Sequence, residues 1–443
     1  MRKIVFIGAG SLVFTRNLVR DIMTFPAFDD CEIALVDIDE KRLEYAKQAA
    51  ETVISAGGHN AVVTAYTDRT EALPGADGVL ITVLQGGVDV WRYDIEIPKK
   101  YGVDICVGDT RGPSGIFRFL RTAPLMLEII RDIEKLCPDA VVLNYTNPMA
   151  MLCSYLQAQT DVSVTGLCHS VQGTAAMLAR WMGIAPEELE YTCVGINHQA
   201  FYLDLTHDGQ DMYPALFEAI KRPEVANEEQ VRNEMFRHLK FYPTESSGHN
   251  SEYNPWFRKR PDLIEKYCTH GTGWNPGAYA FILNEYLDRE DSWEKEYKEW
   301  LETKARTDLD RGEEYASYIF NAIFGDHTPA PFNANLRNLG YVTNIDEGAC
   351  VEVPVTADKD GIHVNGVYTL PPQISALVGH SAKLEEMAVQ AAITGDPDLV
   401  FQAVLQDPLT ASVCSMQEIH DMVQEMFDKN AEYLGYFKAK LKV

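Results

Sequence analysis

The chain has 443 residues, 46% hydrophobic and 23% charged, a composition that excludes a disordered or fibrous protein and implies a sizeable core. Basic residues number 39 against 65 acidic ones, and the formal net charge of −26 repels phosphate backbones, so no nucleic-acid partner is expected. Nine irregularly spaced cysteines without a CxxC pair exclude a disulfide framework and a zinc ribbon, leaving mostly buried thiols. No run approaches the roughly 18 apolar residues of a membrane span, and a cytosolic protein is expected.

Taken in chain order, Lys3–Ile7 is a short apolar strand and Leu12–Thr24 has helical periodicity. Glu32–Asp37 reads as a second strand, followed by the amphipathic helix Glu40–Ser55. Gly78–Leu84 and Ala140–Tyr145 are continuous apolar runs, as strands covered on both faces should be. Ser163–Cys168 is one more strand and leads into the helix Ser170–Met182. This alternation predicts a Rossmann-like, doubly wound parallel sheet, assigned to a cofactor-binding domain over residues 1–165. Beyond it the pattern is mixed. Tyr191–Ile196 and Ala200–Asp204 suggest antiparallel strands, and a polar, Asn-rich loop precedes the strand Cys350–Val355. Helices are expected over Lys383–Gly395 and Met416–Lys438. Residues 166–443 are assigned to a mixed α/β catalytic and oligomerisation region, packed on the first part as one body.

Gly8-Ala9-Gly10-Ser11-Leu12-Val13 follows the first strand and opens the first helix. There a glycine turn can seat a dinucleotide pyrophosphate on a helix N-terminus, with Gly8 for the tight turn and Gly10 for close approach. Val13 replaces the third glycine, which serves helix–strand packing more than binding. Asp37 closes the second strand, where a carboxylate takes the ribose hydroxyls and favours NAD over its 2′-phosphorylated form.

Three further islands fall at strand ends: Asn144–Met149, Cys168-His169-Ser170-Val171 and Gly195-Ile196-Asn197-His198. Ligands of open α/β sheets bind beyond the carboxyl ends of strands, and a thiolate with an imidazole can hold a borderline divalent ion. On spacing alone, a buried thiol and an ordinary hydrogen-bonded histidine remain open at Cys168 and His198.

These islands, with the Gly-Ala-Gly-Ser turn and Asp109-Thr110 ahead of Gly112-Pro113-Ser114-Gly115, resemble glycoside hydrolase family 4. Cys168–Val171, Ser170–Ala175, Phe201–Leu203, Thr244–Phe257 and Cys350–Val353 resemble its α-galactosidase branch, so the likeness runs through nearly the whole chain. The resemblance implies a sheet like that of lactate and malate dehydrogenases, with bound NAD and usually manganese. It implies cleavage of α-galactosides by C3 oxidation, C2 deprotonation, elimination of the aglycone, water addition and return of the hydride. Cys168 and His198 would be the metal ligands, and Asn147 and Asp109 would hold the sugar. Tyr253 is favoured over Glu245 as the base, and His169 would protonate the leaving oxygen. Relatives form dimers or tetramers, so a homo-oligomer is expected. Arg111 and Ser114 depart from the branch, which more often has Leu and Gly there. A guanidinium at 111 facing the substrate keeps a galacturonide or glucuronide open. A 2-hydroxyacid dehydrogenase or a redox-sensing NAD module would leave Cys168 and His198 without a purpose.

Overall fold

The computed structural model describes residues 1–271 and 277–442. Twelve strands form one mixed sheet among these residues. In chain order they are β1 (Lys3–Ile7), β2 (Glu32–Val36), β3 (Val62–Tyr66), β4 (Gly78–Ile81), β5 (Val141–Asn144), β6 (Val164–Gly166), β7 (Glu190–Ile196), β8 (Gln199–His207), β9 (Gln210–Asp211), β10 (Ala330–Arg337), β11 (Cys350–Asp358) and β12 (Gly361–Val364). The order across the sheet is β3-β2-β1-β4-β5-β6-β10-β11-β7-β8-β9, with β12 on β11. Strands β1 to β6 pair in parallel, and every pairing beyond β6 is antiparallel. The expected division after residue 165 falls inside β6.

The parallel half is held by burial on both faces. Ile4, Phe6, Ile33, Leu35 and Leu80 enter one core, while Val5, Ile7, Ala34, Val36, Val79 and Ile81 enter the other. A side chain of this size contributes about 1.5–3 kcal/mol on full burial, so a one-residue slip would exchange two filled cores at once. A third core lies under the β7–β8 hairpin against the helices Ser170–Met182 and Gln230–Leu239. No helix among the described residues is long and apolar enough to cross a membrane.

Two pairings are narrow seams, one joining the parallel and antiparallel halves and one inside the antiparallel half. β10 meets β6 through the single pair Asn335 and Gly166, and β11 meets β7 through Glu352 and Gly195. A Cβ on Gly166 would sit 2.9 Å from the Asn335 Cβ, and one on Gly195 would sit 2.5 Å from the Gln199 carbonyl oxygen. Cys168 follows the first seam by two residues, and His198 follows the second by three.

Two sequence expectations are corrected. The Asn-rich segment before Cys350 is not all loop: Ala330–Arg337 is the strand β10. Asparagine is depleted in strands, but Asn333 donates from its side chain to the Cys193 carbonyl at 2.8 Å and is tolerated there. The last helix stops at Lys429, where the Asn430 side chain, itself buried, turns back to the Met426 carbonyl at 2.9 Å.

The helix Gly112–Leu136, invisible to periodicity because its first three turns are buried all round, sets the position of Asp109 and Thr110. Gly112 has φ +66° and Pro113 fills the first turn, where a missing N–H costs nothing. A Cβ on Gly115 would come within 2.3 Å of the Thr110 carbonyl carbon. Gly115→Ala should therefore cost about 1–3 kcal/mol in urea unfolding through backbone displacement. An unchanged midpoint would show that the Thr110 backbone is not held against this helix.

Candidate active site

The glycine loop folds as its sequence predicts. Gly8 (φ +88°) and Ala9 both donate to the Val36 carbonyl, and a Cβ on Gly8 would lie 2.3 Å from the Thr82 carbonyl oxygen. The Gly10 N–H donates to Asp37 Oδ2 at 2.7 Å, and a Cβ there would be 2.6 Å from the same oxygen. Asp37 Oδ1 accepts the Asp39 N–H, so the carboxylate is aimed at the mouth of the loop. Ser11 is the N-cap of the helix Leu12–Met23, and its side chain makes no capping bond. Val13 is 53% exposed, so its bulk in place of glycine disturbs no packing.

The expected metal pair does converge. Cys168 Sγ lies 3.3 Å from His198 Nε2, and a Glu245 oxygen is 3.6 Å from the same nitrogen. The ligand atoms of Cys168, His198 and Glu245 all lie within 4.8 Å of one another, a spacing suited to one ion. The other ring nitrogen of His198 is fixed by its neighbour: Thr110 donates to Asp109 Oδ1 at 2.6 Å and so accepts from His198 Nδ1–H at 2.8 Å. Nε2 is left with its lone pair facing Cys168. Burial, with His249 adding to it, pushes His198 down to about 4 against the pull of Glu245 and Asp109, which keeps the ring neutral and its lone pair available. Burial likewise pushes the Cys168 thiol up, so only a strong positive charge would make it a thiolate.

His198 (φ +61°) and Glu245 (φ +69°) adopt the left-handed conformation that side chains avoid. His198 is the second residue of the two-residue turn joining β7 to β8, a place that suits Gly or Asn. Such strain concentrates where a side chain must be aimed.

Asn144 ends β5, and its side chain bonds Thr146 through both its oxygen and its nitrogen, shaping the turn that presents Asn147. Asn147 Nδ2 reaches Asp109 Oδ2 at 3.3 Å. His249, which the sequence reading passed over, bridges the two acids, 3.5 Å from Asp109 and 3.2 Å from Glu245. Burial opposes its charge, but Glu245 and Asp109 outweigh that and raise it to about 9. Asp109 is held well below the usual carboxylate range: burial works against ionisation, and His249 and His198 overcome it. No helical spacing announces His249, because Glu245, four residues earlier, lies outside the helix Ser247–Tyr253 in the left-handed conformation.

Glu252 is an anchor, not a reacting group. Its buried carboxylate accepts the backbone N–H groups of Cys106, Val107 and Gly108 at 2.9–3.0 Å, fixing the loop that ends in Asp109. Tyr253 is buried, and its hydroxyl makes no hydrogen bond of normal geometry among the described residues. The Arg111 guanidinium lies 4.8 Å from the centre of its ring. Arg111 is partly engaged: its Nε lies 2.8 Å from Glu385 and its Nη2 donates to the Asn197 carbonyl at 2.5 Å, while its buried Nη1 makes no hydrogen bond among the described residues. Ser114 is fully buried and donates to the Asp94 carbonyl. His169 stands at the rim, its side chain 65% exposed and 3.9 Å from Glu314.

Comparison with known proteins places this geometry in context. A model described as "Family 4 glycosyl hydrolase" matches residues 3–184, and one for the C-terminal domain of that family matches 193–410. An alpha-galactosidase of Rhizobium meliloti (strain 1021) is 38% identical, the alignment covering 98% of this chain and 89% of that protein. An alpha-galactosidase of Bacillus subtilis (strain 168) is 35% identical over 99% of this chain and all of that protein. Among solved structures, a 6-phospho-alpha-glucosidase from gut microorganisms in complex with NAD and Mn2+ shares the fold, with TM-score 0.81, 20% identity and 98% coverage of both chains.

The Thr110 hydroxyl is the testable hinge of the site. Thr110→Val removes the acceptor for His198 Nδ1–H, and affinity for Mn2+ should fall about 10- to 100-fold by calorimetric titration. Unchanged affinity would mean that the tautomer is set by another group.

Proposed function

The chain belongs to family 4 of the glycosyl hydrolases, and from that premise we propose that it hydrolyses α-galactosides through oxidation and elimination at the sugar. The observation that carries the reading is the cluster of Cys168, His198 and Glu245 beside Asp109 and Asn147. A two-carboxylate glycosidase has no need of a thiol and an imidazole with a free lone pair. The α-galactosidase identity of two relatives at 38% and 35% supports the substrate class. Glu385, 2.8 Å from Arg111, already sets a carboxyl group beside this guanidinium, which favours a neutral galactoside over a galacturonide.

The residues present fit both groups that this chemistry needs. Cys168 Sγ, His198 Nε2 and a Glu245 oxygen would hold a divalent metal such as manganese. The close approach permitted by Gly8 and Gly10, with Ala9, Ser11 and Asp37 around it, would hold NAD. Each Asp37 oxygen keeps a further lone pair for a ribose hydroxyl. When bound, the dinucleotide supplies a hydride acceptor and the metal a Lewis acid.

The chain's own groups do the rest. Asp109, held ionised, and Asn147 orient ring hydroxyls. With Glu245 drawn into the ligand set, Tyr253 is the group left to take the proton from C2. Burial raises its pKa well above the ordinary value, and the Arg111 guanidinium over its ring is the charge that favours the phenolate. His169, exposed to water, would protonate the departing oxygen.

Cleavage of nitrophenyl α-galactoside should require both NAD+ and Mn2+ and exceed cleavage of the α-galacturonide. Cys168→Ser should lose bound Mn2+ and nearly all turnover while keeping NAD affinity. A chelated, dialysed sample that keeps its full rate would remove the proposal. Tyr253→Phe should bind metal and NAD normally, yet turn over about 10²- to 10⁴-fold more slowly and stop exchanging the C2 proton with D2O. Normal exchange in that variant would transfer the role to another base.

A further inference from the structure

Three arginines lie within eleven positions at the start of the helix Gly112–Leu136, and their surroundings differ. Arg111 has Glu385 2.8 Å from its Nε and donates from Nη2 to the Asn197 carbonyl, although its Nη1, too, makes no hydrogen bond among the described residues. Arg121, fully buried, is paired with both oxygens of Asp94 and also reaches the Gln85 carbonyl and the Asn430 side chain. Arg118 has no carboxylate within 4 Å among the described residues. Its Nε donates to the Asn147 carbonyl at 3.3 Å, and its guanidinium lies 4.4 Å from the centre of the Trp91 ring. It is only 9% exposed, and its buried Nη1 makes no hydrogen bond among the described residues.

An unpaired buried guanidinium is costly, and the arginines on either side each have a carboxyl group beside them, Glu385 at Arg111 and Asp94 at Arg121. Asn147 shows the same incompleteness from the acceptor side. Its Nδ2 is committed to Asp109, while its buried Oδ1 has no partner among the described residues. The free donor and the free acceptor thus belong to two residues bonded to each other through the Asn147 main chain, next to Asp109. Vicinal hydroxyls of a sugar match that pair: one O–H donates to Asn147 Oδ1, and the neighbouring oxygen accepts from Arg118 Nη1.

We infer that Arg118 is a specificity-determining residue of the sugar site, its Nη1–H donating to a glycone hydroxyl next to the one that Asn147 holds. The inference rests on the galactosidase reading above. Stacking on Trp91 fixes the plane of the guanidinium, and the fork lets one side chain hold the Asn147 carbonyl and the sugar together. A lysine ammonium on a flexible stem does neither.

The test compares the NAD- and Mn2+-loaded enzyme with Arg118→Met and Arg118→Lys on nitrophenyl α-galactoside and its 2-, 4- and 6-deoxy forms. Arg118→Met should lower kcat/KM on the parent about 10- to 100-fold, the worth of a hydrogen bond from a charged donor, and Arg118→Lys should recover little of it. One deoxy substrate should lose a similar factor with the unmodified enzyme and nothing further with Arg118→Met, while the other two keep their penalties. Penalties that multiply for all three deoxy sugars would make Arg118 a structural residue and overturn the inference. A loss confined to the α-galacturonide would overturn it in favour of carboxylate binding. The same comparison is made by calorimetry with galactose and its deoxy forms. A protein that cleaves no α-galactoside but shows the pattern in binding keeps the inference and loses the functional reading; one that binds no galactose loses both.

Discussion

One hydroxyl decides the chemistry of the site. By donating to Asp109 and accepting from His198, Thr110 gives the acid its hydrogen bond and the imidazole its tautomer in a single geometry. Its position is in turn dictated from two sides. Gly115 lets the helix Gly112–Leu136 press against the Thr110 backbone, and Glu252 gathers the three preceding amides. Neither Gly115 nor Glu252 touches a reacting atom by this account, yet both determine where the lone pair of His198 points.

The architecture explains how groups distant in sequence reach one another. A parallel sheet alone offers the ends of β1, β5 and β6, which supply the glycine loop, Asn147 and Cys168. The antiparallel extension brings back β7 and its turn, which supply His198, and packs the Thr244–Tyr253 segment against them. Gly166 lets β6 approach Asn335 of β10, and Gly195 lets β7 and β8 close on each other at their hairpin, just upstream of both sulfur and imidazole. The result is a cluster whose charges largely answer one another: Asp109 and Glu245 face His249, with Arg118 close by.

Much of this was legible in the chain because local rules and tertiary needs agree there. β1, the glycine loop and Asp37 sit where the strand–turn–helix pattern puts them, and Cys168 with His198 came together as the islands at strand ends suggested. What was hidden shares one physical cause, burial of polar groups whose partners are remote in sequence. β10 reads as loop because its asparagines bond across to β7 and β6. Arg111 reads as a ligand-facing cation because nothing in the chain announces Glu385, 274 positions later, as its partner. His249, Glu252 and Arg118 look like ordinary surface charges until folding encloses them.

The left-handed backbone at His198 and Glu245 has an implication for how this protein can change over time. At both positions glycine or asparagine would relax the main chain, so drift governed by robustness alone would move toward them. Retaining a bulky side chain there means keeping a locally less comfortable main chain in exchange for the imidazole and carboxylate that meet Cys168. Positions 198 and 245 are therefore places where ancestry under selection for turnover and ancestry under selection for durability leave opposite residues.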